Sequence, residues 1–145
     1  PTRDLRTYLR DVEHILMSTL VDETLLPAKP CPASLLLEPG QLQTGVWIRD
    51  KKVASIGIAV RKWITYHGFA LNLSTDLRYF EAVEPCGFQG SIMTSLAQEM
   101  GPAVAIEALT SNIKRALAKK FTDLSTRYNA FSLAEVRQPA EQLSQ

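Results

Sequence analysis

A change of hydrophobic period near residue 44 constrains the fold of this chain more than any other feature. Upstream, apolar residues recur at spacings of three and four, which predicts an amphipathic helix packed by one face. Its apolar stripe consists of Leu5, Tyr8, Leu9, Val12, Ile15, Leu16 and Leu20. Downstream, residues 45–60 alternate with a period of two on either side of the polar pair Asp50-Lys51, which predicts a β-hairpin. Both kinds of segment are expected in one domain, because 145 residues suffice for a single core.

The predicted strands have one face of small side chains. In the second strand of the hairpin, Ile56, Ile58 and Val60 alternate with Ser55, Gly57 and Ala59. In a third strand, Phe69, Leu71 and Leu73 alternate with Gly68, Ala70 and Asn72. Close packing of a helix or of a neighbouring strand would explain one such face, because small residues let backbones approach. Two such faces in one domain favour a slot that a ligand enters.

The rest of the chain predicts a loop, further helices and a tail. Residues 27–40 contain four prolines and predict a loop. Short helices are predicted over residues 74–85 and 95–101, each with a capping residue at its start. A longer helix is predicted to follow, with its apolar stripe in the core. The sequence becomes polar after Tyr128, so we predict a domain over residues 1–128 and a flexible tail over residues 129–145.

Charge and hydropathy exclude several classes of partner. Sixteen Lys and Arg residues stand against fifteen Asp and Glu residues, and a net charge of +1 supplies no strong field for nucleic acid or an anionic membrane. No apolar run approaches the roughly 20 residues that span a bilayer, and the first residues lack the apolar core of a signal peptide. Two cysteines and two histidines are too few for a disulfide framework or a zinc site. We therefore expect an intracellular domain that binds no nucleic acid, membrane or metal.

The candidate nucleophile is one of the two cysteines. Cys31 is flanked by two prolines, which indicates an extended surface loop and an incidental thiol. Cys86 follows Pro85 and precedes Gly87, so the backbone is restrained on one side and open on the other. That placement suits an exposed nucleophile, but a buried structural thiol satisfies the pattern as well. His14 lies off the apolar stripe of the first helix and is interpreted as solvated surface.

Five segments carry a resemblance to a known family. They are residues 44–47 (Thr-Gly-Val-Trp), 52–57 (Lys-Val-Ala-Ser-Ile-Gly), 67–72 (His-Gly-Phe-Ala-Leu-Asn), 85–87 (Pro-Cys-Gly) and 93–96 (Met-Thr-Ser-Leu). Their order and spacing resemble those of the octanoyl-acyl-carrier-protein:protein N-octanoyltransferases of lipoate biosynthesis, within the biotin/lipoate protein ligase-like superfamily. The resemblance is concentrated in the middle of the chain and is weaker in the flanking helices.

The resemblance implies a two-step acyl transfer that needs no cofactor. Cys86 would take an octanoyl group from acyl carrier protein as a thioester, with Lys52 as its acid/base partner. The implied acceptors are lysines in the lipoyl domains of 2-oxoacid dehydrogenases and in the glycine cleavage H protein, and the implied compartment is the cytoplasm, or the mitochondrial matrix in a eukaryote. The residue types agree with this chemistry, because a thiolate exchanges readily with a thioester and a nearby ammonium favours the thiolate.

The resemblance also assigns residues to the substrate pocket. Those implied to border the acyl chain and the thioester are Ser55, Ile56, Gly57, Gly68, Phe69 and Ala70. His67 and Asn72 would hold the site by hydrogen bonds. Considered without the family, His67 would instead be interpreted as a Cys-His partner for the nucleophile.

Two segments typical of the family are absent: an Arg-Gly-Gly stretch and a Thr-x-His-Gly-Pro-Gly-Gln stretch, which wall the acyl chain in its members. The fold implied is α+β, a biotin/lipoate protein ligase-like mixed sheet flanked by helices, without the usual N-terminal part. Three alternatives remain open: an amidotransferase that moves octanoyl between lipoyl domains, a non-catalytic module that binds carrier protein or lipoyl domains, and an ATP-using lipoate ligase. The Pro-Cys-Gly segment favours a transferase over the ligase. The absent pocket segments favour the module, whereas the pair Lys52 and Cys86 favours an enzyme.

Overall fold

The computed structural model describes residues 4–32, 44–80 and 90–136, apart from the side chains of His67 and of residues 129–136. Its elements in chain order are α1 (Leu5–Thr24), β1 (Ala28–Lys29), β2 (Gly45–Ile48), β3 (Lys51–Arg61), β4 (Ile64–Leu71), α2 (Leu96–Met100) and α3 (Ile106–Val136). Two short 3₁₀ helices, Leu77–Phe80 and Gly90–Ile92, lie between β4 and α2.

The strands form one antiparallel sheet in the order β1-β2-β3-β4. β3 and β4 pair in register from Ala54 opposite Leu71 to Arg61 opposite Ile64. The predicted hairpin and the predicted third strand are therefore confirmed. The first turn lies one position earlier than predicted, at residues 49–50, where Arg49 has a φ of 55°. A left-handed residue suits a two-residue hairpin turn, because it matches the twist of the flanking strands.

Two features of the sheet differ from the sequence-based expectation. The loop predicted for residues 27–40 contains the edge strand β1, in which Ala28 pairs with Ile48 and Lys29 with Trp47. A two-residue strand beside a proline has no periodic signal, and an edge position tolerates that proline. Parallel pairing, expected for a mixed sheet, is limited in the described part of the chain to one bridge between Lys52 and Met93.

α1 has a polar start and a left-handed end. The side chain of Asp4 accepts a hydrogen bond from the Arg6 amide at 2.9 Å, which satisfies one of the free N–H groups of the first turn. Leu25 ends the helix with a φ of 59° and donates its amide to the Val21 carbonyl at 3.0 Å. The predicted amphipathic helix is confirmed, and His14 is exposed as predicted.

The hydrophobic core lies between the sheet and the two long helices. α1, β2, β3, α2 and α3 all contribute buried residues to it: Val12, Ile15, Leu16, Leu20, Val46, Ile48, Val53, Ala54, Ile56, Leu96, Ile113, Leu117 and Leu124. α1 and α3 also meet at Tyr8 and Tyr128, whose rings pack edge to face at 5.5 Å. Lys120 of α3 donates to Ser18 and to Asp22 of α1, each at 2.9 Å.

α3 continues to Val136, past residue 129 where the tail is predicted to begin, and the domain boundary itself stays a prediction. Residues 129–136 include Ala, Leu and Glu, which are good helix formers, and the first proline after them is Pro139. Polar composition alone does not distinguish an exposed helix end from a tail. Residues 137–145 lie outside the described residues.

Candidate active site

Lys52 is almost completely buried in the sheet, with 1% of its surface exposed. Lysine is rarely buried to this extent, because removing an ammonium group from water is costly. Its Nζ lies over the Trp47 indole, 4.9 Å from the ring centroid, where the π electrons attract a cation. A cation held at this place can stabilise a neighbouring anion such as a thiolate.

A β-bulge aims Lys52 at Trp47. Val46 pairs with Ala54, but the next residue of β2, Trp47, pairs with Lys52. Val53 is therefore the extra residue of the bulge. Bulges re-aim side chains and are common beside active sites. Alternation could not predict this one, because residues 52–60 also satisfy a regular strand.

Gly45 supplies the space that the Lys52 side chain occupies. Its φ is 141°, a conformation that side-chain-bearing residues rarely adopt. A Cβ added here would lie 2.5 Å from the Ala54 carbonyl oxygen and 2.7 Å from Cε of Lys52. The same Cβ would lie 3.2 Å from the Cζ3 atom of the Trp47 ring. The Gly of the Thr-Gly-Val-Trp segment therefore has a steric role beside the lysine.

Glu13 is a buried carboxylate of α1 that sequence reasoning missed. It is 2% exposed. Its Oε1 accepts a hydrogen bond from the Gly45 amide at 3.2 Å, and its Oε2 pairs with the Arg10 guanidinium. The only signal in the sequence was a charged residue between the stripe residues Val12 and Ile15. A charge there is unusual, because such a position turns toward the core.

Cys31 lies within electrostatic reach of this cluster. Burial raises the pKa of the Cys31 thiol; the positive charge of Lys52 opposes that shift, and the negative charge of Glu13 adds to it. Cys31 is half-buried rather than on a fully exposed loop, and its Sγ is 3.6 Å from the Pro32 carbonyl oxygen. A raised pKa keeps Cys31 as a thiol at neutral pH, which disfavours it as the nucleophile.

Asn72 joins the bulge of β3 to the start of α2. Its Nδ2 donates to the Thr94 carbonyl at 3.0 Å, and its Oδ1 accepts from the Thr75 hydroxyl at 3.3 Å. Its amide donates to the Val53 carbonyl, and its carbonyl accepts from the Leu96 amide, each at 2.9 Å. Asn72 thus makes hydrogen bonds that hold the site together, while its contact with substrate stays a prediction.

The segment that precedes α2 is bound directly to the lysines of β3. The Thr94 amide donates to the Lys52 carbonyl at 2.9 Å, next to the parallel bridge between Lys52 and Met93. The neighbouring Lys51 ammonium donates to the Ser91 carbonyl. The position of the Lys52 backbone is therefore fixed from both sides, by β2 and by this segment.

Cys86 belongs to residues 81–89, which lie outside the described residues, so its place relative to Lys52 stays a prediction. The two 3₁₀ helices that flank this segment, Leu77–Phe80 and Gly90–Ile92, contact each other. The downstream one leads directly to the residues bound at Lys52.

The small-residue face of the predicted strands is open at its centre. Gly57 lies opposite Gly68, and Ser55 opposite Ala70, so all four fall on one face of the β3–β4 pair. A Cβ built on either glycine meets no atom within 4 Å in the part of the chain that the structure describes. No described helix or strand comes within 4 Å of a Cβ at either glycine, so packing by the described elements does not account for these small residues.

The register divides the predicted pocket residues between two faces. Ile56 and Phe69 pair with each other on the face opposite the glycines. Ile56 is buried in the core, and the Phe69 ring stacks on Phe121 of α3 with centroids 5.5 Å apart. These two residues therefore support the sheet from the helix side. His67 pairs through its backbone with Ile58, and its side chain lies outside the described structure.

Neither a metal centre nor a membrane span is found in the described residues. No three His, Cys, Asp or Glu side chains among residues 4–32, 44–80 and 90–136 are grouped so that they could hold a metal ion. No helix within the same ranges is both long and apolar enough to cross a bilayer.

Comparison with known proteins matches the chain to a family and to a fold. The model of the family described as lipoyl protein ligase A/B catalytic domain matches residues 1–118. An octanoyltransferase of Geobacter sulfurreducens is 38% identical over 84% of this chain and 46% of its own length. An octanoyltransferase of Geotalea uraniireducens is 44% identical over 68% of this chain and 41% of its own. The chain thus spans less than half the length of these relatives.

A solved structure has a similar fold over the part that it shares with this chain. A lipoate-protein ligase A bound with ATP superposes with a TM-score of 0.56 at 19% identity, over 82% of this chain and 47% of that one. At that identity the likeness concerns the fold alone. The α+β, lipoate ligase-like fold predicted from the sequence is confirmed.

Proposed function

The chain belongs to the lipoyl protein ligase A/B catalytic domain family, and from that premise we propose that the protein transfers an octanoyl group from acyl carrier protein to a lysine of lipoyl domains, through a thioester on Cys86. The proposed acceptors are the lipoyl domains of 2-oxoacid dehydrogenases and the glycine cleavage H protein. The proposed compartment is the cytoplasm, or the mitochondrial matrix in a eukaryote.

One observation carries the proposal: a buried lysine is held at a bulge and is bonded to the segment that follows the candidate nucleophile. Lys52 is 1% exposed, and its carbonyl accepts the amide of Thr94. Thr94 lies eight positions after Cys86 (94 − 86 = 8). The similarity to two octanoyltransferases, at 38% and 44% identity, supports the same assignment.

In the first step the Cys86 thiolate attacks the carbonyl carbon of the octanoyl thioester on the carrier protein. A carbon–sulfur bond to Cys86 forms, the bond to the carrier sulfur breaks, and the departing carrier thiol takes a proton from the Lys52 ammonium, which leaves Lys52 neutral for the second step. The Lys52 ammonium stabilises the Cys86 thiolate before attack. A low-dielectric site strengthens this stabilisation, because little water screens the charge of a buried lysine.

In the second step the amine of the acceptor lysine attacks the octanoyl–Cys86 thioester. An amide bond forms, the carbon–sulfur bond to Cys86 breaks, and the attacking nitrogen loses a proton. Lys52 in its neutral form takes that proton as a general base, which restores the ammonium and the thiolate. The same group thereby serves both steps.

The open face of β3 and β4 is the proposed place for the octanoyl group. Gly57 and Gly68 leave the backbone bare there, with Ser55 and Ala70 beside them. A flat surface of small residues accepts a linear chain of methylenes without a steric clash. In this proposal Ile56 and Phe69 support the surface from below, because they pack toward the helices.

The intact mass of the protein after incubation with octanoyl-acyl carrier protein tests the proposal. We expect wild type to gain one octanoyl group that hydroxylamine removes, because hydroxylamine cleaves thioesters. Cys86→Ser should give no labile adduct. Cys31→Ser is the matched control, since it removes the other thiol and should acylate like wild type.

The outcomes separate the competing functions. An adduct that transfers to an apo-lipoyl domain without ATP supports the octanoyltransferase. An adduct that forms from octanoylated H protein but not from acyl carrier protein would instead identify the amidotransferase. A requirement for ATP and free octanoate would identify a ligase. A folded protein that binds carrier protein and forms no adduct would overturn the enzyme assignment in favour of the binding module.

A further inference from the structure

We infer that Glu13 of α1 is a positioning residue for Lys52, acting through the backbone of Gly45. The inference deepens the proposed function and rests on it for the catalytic meaning of Lys52. Its geometry stands independently, because it concerns only hydrogen bonds and contacts between described residues.

The first link joins the helix to the strand. Glu13 is 2% exposed, and its Oε1 accepts the Gly45 amide at 3.2 Å across 32 positions of sequence. Gly45 is the first residue of β2, so this bond fixes where the strand begins relative to α1. The Arg10 guanidinium pairs with the other carboxylate oxygen and keeps the side chain in place. A buried hydrogen bond to a carboxylate is directional and stronger than one to a neutral acceptor.

The second link joins the strand to the lysine. The position of a Gly45 Cβ would be 2.7 Å from Cε of Lys52. The Lys52 stem therefore runs directly over the Gly45 backbone, and a shift of that backbone must displace the stem. The ammonium group at its end lies over the Trp47 ring, which also belongs to β2. Glu13 thus anchors the strand that supplies both the floor under the Lys52 stem and the aromatic ring at its tip.

A second buried polar residue of α1 provides a matched control. Thr24 is 9% exposed, and its hydroxyl donates to Leu20 and accepts from the Leu26 amide. These bonds stay within α1 and the residues that follow it. Thr24→Val therefore removes buried hydrogen bonds from the same helix without touching β2.

The test is an NMR spectrum of the lysine side chains. The Trp47 ring current should displace the signals of the Lys52 Cε group upfield from those of other lysines, and Lys52→Met would identify them by their disappearance. Glu13→Met removes the acceptor, so we expect these signals to move toward the ordinary lysine position. Glu13→Gln keeps an oxygen for the Gly45 amide and should leave them in place, as should Thr24→Val. Glu13→Asp withdraws the acceptor by one methylene and should give an intermediate displacement of the Lys52 signals. It replaces Glu13→Met in the test if Glu13→Met does not fold.

The inference is overturned if folded Glu13→Met or Glu13→Asp keeps the wild-type Lys52 signals. It is also overturned if Thr24→Val moves them as far as Glu13→Met does, because the effect would then be general destabilisation.

Acylation provides the functional readout. Under the proposed function, Glu13→Met should lower the maximal rate of Cys86 acylation by about 10- to 100-fold, because a displacement of about 1 Å has effects of that size on positioned groups. The half-saturating concentration of carrier protein should not change, and Glu13→Gln should restore most of the rate. If wild type forms no adduct at all, the proposed function fails, while the NMR result still decides the role of Glu13.

Discussion

Gly45 shows how a single residue shapes this site by having no side chain. The Thr-Gly-Val-Trp segment resembles a family motif, but the structure gives its glycine a physical role. Its φ of 141° and the closeness of Ala54 and Lys52 leave no room for a methyl group. The burial of Lys52 and the presence of glycine at this position are therefore two aspects of one packing arrangement.

Gly45→Ala should lower the free energy of unfolding by at least about 2 kcal/mol, because it combines backbone strain with an overpacked contact. Gly57→Ala is the matched control, since a Cβ at Gly57 meets no described atom within 4 Å, and its effect should be below about 1 kcal/mol. Urea unfolding followed by circular dichroism measures both values. Equal effects of the two substitutions would contradict the steric account of Gly45.

At the scale of elements, the site depends on how β3 holds the segment that leads into α2. Asn72 is the central residue of that connection, with hydrogen bonds from both its side chain and its backbone. The Thr94 hydroxyl adds a bond to Glu99 at 2.7 Å, and Glu99 in turn pairs with Arg49 of the first turn. The bulge, the turn and α2 are therefore joined by hydrogen bonds and an ion pair.

Asn72→Asp should cost about 2–3 kcal/mol of stability, because a carboxylate cannot donate to the Thr94 carbonyl and is left buried against it. Asn112→Asp is the same substitution at an exposed site of α3, where the side chain accepts a hydrogen bond from Arg115, and should change stability by less than about 0.5 kcal/mol. Midpoints of urea unfolding compare the two. The network argument fails if the two variants are equally stable.

The contact between α1 and α3 makes the free energy of unfolding depend on pH in the alkaline range. Burial, the hydrogen bond to Asp11 and the charge of Asp11 raise the pKa of Tyr128 from 10.0 to about 12. Because the folded pKa is above the unfolded one, this contribution is fully present below pH 10 and is lost as the pH rises to about 12.

Tyr128→Phe should be less stable than wild type by about 1 kcal/mol at neutral pH, and the difference should shrink between pH 10 and about 12. Urea unfolding of both proteins across that range measures it. Asp11→Asn removes the carboxylate and should shift the loss of stability to lower pH. A difference that stays constant with pH would show that the Tyr128 hydroxyl is not coupled to folding.

At the scale of the whole molecule, the sequence predicted those parts whose signal is local. The amphipathic stripe of α1 and the alternation in β3 and β4 each repeat over many residues, so periodicity was sufficient. The burial of Glu13 depends on a contact with Gly45, 32 positions away, and no local pattern records it. The bulge at Val53 and the two-residue strand β1 are too short to alter a period.

The predicted pocket residues stay predictions, and the register of the sheet adds the face on which each of them lies. Motif resemblance selected Lys52, Asn72 and the glycines, which the structure gathers around β3. It also selected Ile56 and Phe69, which alternate with the glycines and therefore point to the other face. A motif read as a string of letters does not distinguish the two faces of a strand.

The central claim is that Lys52 acts on Cys86, and the rate at which iodoacetamide alkylates Cys86 tests it most directly. A Cys31→Ser background makes Cys86 the only thiol. Lys52→Met should slow alkylation about tenfold or more near neutral pH, because the loss of a neighbouring ammonium lowers the thiolate fraction. Lys114→Met, which alters an exposed lysine of α3, should keep the rate of the background protein. Equal rates in all three folded proteins would contradict the account.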